Sequence, residues 1–355
     1  MAVAALASCN QSPQAPPGSE SNPTHASGTT WNVDHAKLPG EIWFLRDGPT
    51  PSLVRIADGV RDEMIAHDLM PTSASLPDGR SVAIALRDVD GTVGQQLVLV
   101  AADSAITPIG PLAHKLNDPV VGSNGAWIVV AAEQRAASQL LRIDIATATV
   151  TTLTDDRAGS FGPASLGGDA LAFVSRRDGN SEIYRTSVRG GAATRLTRDP
   201  HGDWDPTPSP DRATIAFLSD REGPARIFLM DRDGANQRRL TQNTDSFRHE
   251  SQIAWSPDGT MIAYGLARGP RRHVWLRHVA SGREQDLTPD AMPSSSSAAY
   301  PGVIDVDPTF SPDGRWVAVS RTRGHDTDLW AIPVGLGEPV RITTGRYPDR
   351  LPHWR

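Results

Sequence analysis

Residues 203–241 read DWDPTPSPDRATIAFLSDREGPARIFLMDRDGANQRRLT, and this stretch decides the fold. It contains four short runs of strand composition, with a Ser-Pro-Asp turn between the first run and the second. Proline presets φ at the first central turn position and aspartate bonds its own backbone, so this turn closes a tight hairpin. The runs 215–218 and 227–230 are apolar at successive positions, which is typical of strands covered on both faces.

The same unit recurs along most of the chain. Two later copies begin near Ala254 and Asp307 and carry Ser-Pro-Asp-Gly turns, and weaker copies begin near Ser75, Asp118 and Gly162. One four-stranded sheet cannot bury both of its faces alone, whereas several sheets packed around an axis cover one another. The repeats therefore predict an all-β fold, a β-propeller of four-stranded blades.

The two ends of the repeat region supply parts of one further unit. Residues 351–355 match only an opening strand, while residues 41–45 and 52–56 match later strands. We therefore expect seven blades, with the N- and C-terminal strands sharing one blade and closing the ring. Six blades is the alternative, in which the terminal pieces complete an existing sheet.

The only cysteine, Cys9, lies in a small apolar segment at the N-terminus. Leu6-Ala7-Ser8-Cys9 resembles the bacterial lipobox, in which cleavage before the cysteine is followed by lipid attachment to its sulfur. The segment lacks a preceding Lys or Arg and is short for a signal sequence, so an ordinary Ala-rich terminus is the alternative. We expect a signal remnant over 1–9 with lipidation at Cys9, a flexible tether over 10–30, and one propeller domain over 31–355.

Composition narrows the classes of partner and cofactor. The formal net charge is −6 and the sequence contains no block of Lys or Arg, which argues against nucleic acid. No apolar run approaches the roughly 18 residues of a spanning helix, so we expect membrane contact through a lipid anchor only. A single cysteine forms no internal disulfide and no multi-cysteine metal site. We expect a monomer.

The runs Ile215–Gly223 and Arg226–Thr241 resemble the repeat of the TolB-type β-propellers, and the Ser-Pro-Asp-Gly turns match the same repeat. The resemblance covers most of residues 41–355 and implies the propeller fold in an extracytoplasmic protein. The segment before the first blade is shorter than the additional N-terminal domain of TolB, so the chain resembles a propeller-only relative. The matching residues are turn formers and core fillers, so the resemblance does not imply a role in the Tol system.

Three aspartates, Asp118, Asp205 and Asp307, share one repeat position, just before the proline of an innermost strand. We expect them at one mouth of the channel, where an acidic ring binds Ca²⁺ through oxygen ligands or attracts a cationic group. The alternative is that each aspartate bonds backbone amides of its own turn or of the adjacent blade. Apart from this Ca²⁺, the sequence indicates no cofactor. The neighbouring loops add the other channel-mouth candidates: Asp203, Trp204, His249, Glu250, Asp305 and His353.

Arginines follow the second strand of several units, as in Ser219-Asp220-Arg221. We expect each of them to pair with an aspartate of a neighbouring blade, which is a structural role.

Two functions fit these features. The first is an extracytoplasmic, lipid-anchored propeller that binds an envelope protein, a peptide or a glycan. The second is a propeller enzyme, such as a carbohydrate lyase whose channel histidines hold a metal. The sequence contains no Gly-x-Ser-x-Gly elbow and no His-Glu-x-x-His pattern, and its ten histidines are scattered. We therefore favour binding over catalysis, and three converging histidines at the channel mouth would reverse that preference.

Overall fold

The computed structural model describes residues 38–57, 60–89, 91–134, 137–155, 157–242, 248–268, 271–289 and 304–355. The predicted signal remnant and tether, including Cys9, lie outside the described residues. These ranges contain twenty-eight β-strands and no helix, which confirms the all-β prediction. It follows that no helix of the described residues is long and apolar enough to cross a membrane.

The strands form antiparallel sets of four, and we call each set a blade. The first four complete blades are β4 (Leu69–Ser75), β5 (Ser81–Val89), β6 (Thr92–Val100), β7 (Ile106–Ala113); β8 (Lys115–Val121), β9 (Trp127–Gln134), β10 (Ala137–Asp144), β11 (Val150–Thr152); β12 (Ser160–Ser165), β13 (Ala170–Ser175), β14 (Glu182–Ser187), β15 (Thr194–Arg195); and β16 (Asp203–Pro208), β17 (Thr214–Ser219), β18 (Arg226–Asp231), β19 (Arg238–Arg239).

The next two blades are linked by a single parallel pair, Arg272 with Ile304. They are β20 (Arg248–Trp255), β21 (Met261–Arg268), β22 (Arg271–His278), β23 (Glu284–Asp286); and β24 (Ile304–Phe310), β25 (Trp316–Arg323), β26 (Asp326–Pro333), β27 (Val340–Arg341). The last blade joins the two ends of the described chain. It consists of β28 (Asp349–Trp354) with β1 (Glu41–Arg46), β2 (Ser52–Ala57) and β3 (Val60–His67).

The first strands of the blades form a closed ring. Each first strand lies against the first strand of the next blade, from β4 through β8, β12, β16, β20 and β24 to β28, and β28 lies against β4. In the closing blade β28 pairs with β1, with Trp354 opposite Ile42 and Asp349 opposite Arg46. The seven sets of strands agree with the expectation of seven blades and of a blade shared between the terminal strands.

The core lies between the blades. Seven clusters of buried apolar residues fill the described structure, and each cluster is shared by two neighbouring blades. In β1, Trp43 packs toward the β4–β7 blade while the next residue, Phe44, packs toward the β24–β27 blade. Successive side chains of a strand point to opposite faces, so an uninterrupted apolar run covers both sides of its blade.

The recurring Leu-Thr pairs complete the short outer strands. The Oγ1 atoms of Thr197, Thr288 and Thr343 each accept a hydrogen bond from a third-strand backbone N–H at 2.9 Å. Outer strands such as β15 contain only two residues, so these hydroxyls extend the pairing beyond the strand.

The closing blade is held by a buried ion pair between its first two strands. Nε and Nη2 of Arg46 donate to the two carboxylate oxygens of Asp349 at 2.7 and 2.9 Å. Asp349 is fully buried. Arg355 adds a second contact, because its guanidinium donates both to Glu41 Oε2 at 2.7 Å and to Ser81 Oγ of the next blade at 2.6 Å.

Replacing Arg46 by Met tests the closing ion pair. The change leaves Asp349 buried without its guanidinium, and we expect the free energy of unfolding to fall by about 3 kcal/mol. The control is Arg189→Met, which breaks the exposed pair between Arg189 and Asp169 and is expected to cost less than about 1 kcal/mol. Urea unfolding followed by tryptophan fluorescence measures both variants. Equal losses would show that Arg46 has no special role in closure.

Candidate functional site

The first strands share a β-bulge that turns one residue out of the regular ladder. In six of the seven described first strands this residue has a left-handed φ between 51° and 57°, and the register with the second strand shifts there. The six residues are Asp118, Gly162, Asp205, Gln252, Asp307 and Leu351. A proline follows five of them, and proline is tolerated at bulges because no ladder hydrogen bond is lost there. Aspartate is enriched in left-handed conformations, so the bulge itself favours this residue type.

Asp118 and Asp205 differ from the other members of this set because their carboxylates have no hydrogen bond or ion pair with any described residue. Both side chains are accessible to solvent, yet protein surrounds them closely. Burial, followed by the negative charge of Asp118, raises the pKa of Asp205 to about 6. Burial also raises the pKa of Asp118. The positive charge of Lys115 opposes the rise in the pKa of Asp118. The two residues therefore form a carboxylate pair that no described residue engages in a hydrogen bond or an ion pair.

The position of this pair follows from the ring. Asp118 lies on β8 and Asp205 on β16, and β12 lies between these two strands. Electrostatic contact across an intervening strand requires that both side chains face the space that the first strands enclose. The residue of β12 at the same repeat position is Gly162, so no side chain at that position separates the carboxylates.

Asp307 occupies the same bulge position but is satisfied by its neighbours. Its Oδ1 accepts a hydrogen bond from Gln252 Nε2 at 2.6 Å, and its Oδ2 accepts one from Ser320 Oγ at 3.2 Å. Burial raises the pKa of Asp307, and the Ser320 hydrogen bond opposes that rise. Gln252 belongs to the preceding blade, so Asp307 links two first strands.

His353 lies on β28, two residues after the bulge. Burial, helped by the positive charge of Arg355, lowers the pKa of His353 to about 4. The imidazole is therefore neutral at physiological pH and adds no positive charge to the ring. Within the part of the chain that the structure describes, no group of three or more His, Cys, Asp or Glu residues is close enough to hold a metal ion. The described aspartates of the bulge position thus do not converge into a Ca²⁺ site.

Two other predicted site residues, Asp203 and Asp305, are buried in ion pairs at the start of their strands. Both carboxylate oxygens of Asp203 accept hydrogen bonds from Arg221 Nη2, at 2.9 and 2.7 Å. Nε and Nη2 of Arg321 donate to the two oxygens of Asp305 at 2.6 and 3.1 Å. These arginines pair within their own blades. The expectation of pairing with an aspartate of a neighbouring blade was therefore wrong for Arg321, because the antiparallel register places Asp305 directly opposite it. Arg221 also lies 3.9 Å from Asp199, which follows the last strand of the preceding blade.

Glu250 is also buried and joins two blades. Its Oε2 accepts hydrogen bonds from the Ile227 backbone N–H at 2.8 Å and from Thr241 Oγ1 at 2.6 Å. Burial raises the pKa of Glu250, and these hydrogen bonds partly offset that rise. Its partners belong to the β16–β19 blade while Glu250 lies on β20, so this carboxylate stabilises the contact between adjacent blades.

The two remaining candidates have different surroundings. Trp204 is half-buried and packs against the apolar clusters on both sides of its blade. His249 is exposed at the start of β20. The candidates therefore divide into packing and ion-pairing residues, an exposed histidine, and the residues of the ring interior.

Sequence reasoning missed two residues that shape the ring interior. Gly162 places no side chain between Asp118 and Asp205, and Gln252 donates a hydrogen bond to the carboxylate of Asp307. Both occupy the repeat position of the aspartates, so an alignment of the units would have shown which copies lack the acid.

The family described as "TolB beta propeller domain" matches residues 158–304. These residues include the unit from which the repeat was recognised. The chain is similar to the TolB-type propellers over this part of its length. An uncharacterized protein of Agrobacterium fabrum is 34% identical over 186 residues, which are 49% of this chain and 56% of that protein. A TolB homolog of Chlorobium luteolum is 27% identical over 177 residues, which are 50% of this chain and 37% of the homolog.

Solved structures support the fold of this TolB-like chain. TolB from Acinetobacter baumannii superposes with a TM-score of 0.56 and 19% identity over 89% of this chain and 66% of TolB. An oligogalacturonate lyase in complex with manganese superposes with a TM-score of 0.56 and 16% identity over 85% of each chain. At these identities the similarity shows the propeller fold alone. The matched segments of the two sequence relatives cover little more than half of their length at most, so the activities of the whole proteins do not transfer.

The raised pKa of Asp205 predicts a pH-dependent stability. The folded-state pKa, about 6, lies above the ordinary value of 3.8, so the folded protein holds this proton more tightly and loses stability as pH rises through that interval. We expect Asp205→Asn to increase the free energy of unfolding at neutral pH. The gain should be no more than about 1 kcal/mol, because water partly screens the exposed carboxylate. Thermal unfolding between about pH 4 and pH 8 measures the difference, which should vanish at the acid end.

The control for this measurement is Glu338→Gln. Glu338 is an exposed carboxylate between β26 and β27, and its replacement should change the stability little at every pH. A gain for Asp205→Asn that is the same at every pH would show that charge is not its cause.

Proposed function

We propose that this TolB-like propeller is an extracytoplasmic binding module, attached to the cell envelope by a lipid at Cys9, whose ring interior receives a cationic group of an envelope protein or peptide. The observation that carries the proposal is the carboxylate pair of Asp118 and Asp205. These are the two bulge aspartates whose carboxylates form no hydrogen bond or ion pair with a described residue.

Electrostatics explains why a cation fits this place. Two carboxylates that face the same enclosed space repel each other, and the charge of Asp118 is one of the causes that raise the pKa of Asp205. Raising the pKa of Asp205 to about 6 relieves part of that repulsion by favouring a proton. A lysine side chain or an N-terminal amine entering the ring would replace the proton. The pair therefore favours a protein or peptide partner over a neutral glycan.

The cellular location rests on separate observations. The similarity to TolB supports an extracytoplasmic location, and the segment Leu6-Ala7-Ser8-Cys9 supports lipid attachment. The polar stretch after Cys9 supplies a tether between a lipid and the propeller. Under this proposal the propeller reaches its partner from the membrane surface.

The alternative function, a carbohydrate lyase with a channel metal, requires histidines that converge on one point. The described histidines do not form a group of three with one another or with carboxylates. The unpaired carboxylates of Asp118 and Asp205 are explained by a cationic ligand, whereas the lyase hypothesis gives them no role. The binding function is therefore the better supported of the two.

A fluorescein-labelled tetralysine peptide tests the ring interior. We expect saturable binding near neutral pH and a loss of at least about tenfold in affinity for the double variant Asp118→Asn/Asp205→Asn. Binding to the wild type should weaken as pH falls below about 6, because protonation of Asp205 removes one of the two charges. Fluorescence anisotropy measures each affinity.

Glu338→Gln again serves as the control for this titration, because it removes one exposed carboxylate outside the bulge set. Asparagine keeps the size and the left-handed tolerance of aspartate, so the bulges themselves are preserved in the double variant. Unchanged peptide affinity in that variant would contradict the proposal, as would an equal loss in the control.

The lipid anchor is tested by Cys9→Ala expressed in the native host. The wild type should incorporate labelled palmitate and sediment with membranes, and Cys9→Ala should lose both properties because it has no sulfur to acylate. Ser12→Ala is the matched control and should behave as the wild type. Absence of label from the wild type would contradict the anchor.

A further inference from the structure

A cleft of about 590 Å³ lies between the β12–β15 and β16–β19 blades, away from the ring interior. The turn between β12 and β13, the end of β14 and the turn between β18 and β19 form its walls. Its volume falls within the range of small-molecule sites, which extends from about 300 to 1,000 Å³. The residues that matter for its chemistry are Gly167, Gly168, Arg185, Thr186, Thr194 and Arg232.

Two arginines in the cleft lack carboxylate partners. Arg185 is half-buried, and its side chain has no hydrogen bond or ion pair with the described residues. It lies on the same side of β14 as Ile183, which packs toward the β16–β19 blade. Arg232 reaches the cleft from that second blade, and its Nη2 lies 3.5 Å from the Gly167 carbonyl oxygen. Its Nε is buried and has no hydrogen-bond partner.

The carboxylates that line the cleft are already engaged. Asp169 is paired with Arg189 at 2.6 Å, and Oδ1 of Asp233 accepts a hydrogen bond from the Ala235 backbone N–H at 3.0 Å. A third guanidinium lies next to the same turn, where Arg212 Nη1 donates to the Ser165 carbonyl oxygen at 3.0 Å. The lining itself has two arginines and two aspartates, and Arg189 and Arg212 beside it bring the guanidinium groups to four against two carboxylates. The surroundings of the cleft are therefore positively charged, although the chain as a whole is acidic.

We infer that this cleft binds a phosphate group, which Arg185 and Arg232 would hold from opposite blades. The planar guanidinium presents a fork of N–H donors that matches phosphate oxygens. Thr194, which lies opposite Arg185 in the β14–β15 pair, lines the same cleft. A Cβ atom at Gly168 would meet nothing within 4 Å, so a ligand can approach this backbone closely. The site does not depend on the proposed role of the ring interior.

The test is a titration of the full chain with inorganic phosphate, followed by amide and arginine Nε–H NMR signals at constant ionic strength. We expect the signals of Gly168 and Arg232 to shift saturably. In Arg185→Gln/Arg232→Gln, the dissociation constant should rise by at least about tenfold. Arg232→Lys keeps the charge and should retain part of the affinity, which distinguishes a lost ligand contact from a damaged fold.

The control is Arg315→Gln, because Arg315 is exposed, is paired with Asp313 and lies in a different blade. It should bind phosphate as the wild type does. Three results would overturn the inference: no saturation at high millimolar phosphate, equal affinity in the double variant, or an equal loss in Arg315→Gln.

Sedimentation with lipid vesicles distinguishes the sources of the phosphate. The full chain with Cys9→Ala is mixed with phosphatidylglycerol vesicles or with phosphatidylcholine vesicles. Sedimentation with the anionic vesicles that needs Arg185 and Arg232 supports a lipid headgroup as the ligand. Saturable binding of inorganic phosphate without sedimentation supports a soluble phosphate-bearing ligand of the same site.

Discussion

Each blade of this protein has two apolar faces, and water must be excluded from both. Trp43 and Phe44, adjacent in one strand, pack into different clusters on opposite sides of their blade. Burial of apolar surface contributes roughly 25 cal/mol per Å², so a blade with one uncovered face would lose much of its stability. A ring of blades removes the uncovered face altogether. The last cluster, shared by the closing blade and the β24–β27 blade, completes it.

The closed ring of blades also determines where the candidate site lies. First strands that pack side by side around an enclosed space need a bulge to bend, and the bulge turns one side chain per strand out of the ladder. In β24 that side chain is satisfied by Gln252 of the preceding blade. In β8 and β16 it is an aspartate without a partner among the described residues. The same β-bulge therefore presents a hydrogen-bonded carboxylate in one first strand and a carboxylate without a hydrogen-bonded partner in two others.

The sequence was sufficient to predict the repeats, the propeller and the strand pairing that closes it, because these depend on local composition and periodicity. It did not separate Asp203 from Asp205, two residues apart on one strand. Asp203 is buried against Arg221, while Asp205 is the bulge residue and faces the ring interior. That division depends on register and on the absence of a side chain at Gly162, which neighbouring strands determine. The sequence also did not predict the cleft between Arg185 and Arg232, because its two walls belong to different repeats.

Asp118 and Asp205 form a pair of interacting carboxylates inside the ring, and neither has an ion-pair partner among the described residues. The most direct measurement of this interaction is a carbon-13 NMR titration of the Asp205 carboxyl group in the wild type and in Asp118→Asn. We expect a midpoint of about 6 in the wild type and a lower midpoint in the variant, since the charge of Asp118 contributes to the raised pKa of Asp205. A midpoint near the ordinary value of 3.8 in the wild type, or a midpoint that Asp118→Asn does not change, would contradict this expectation.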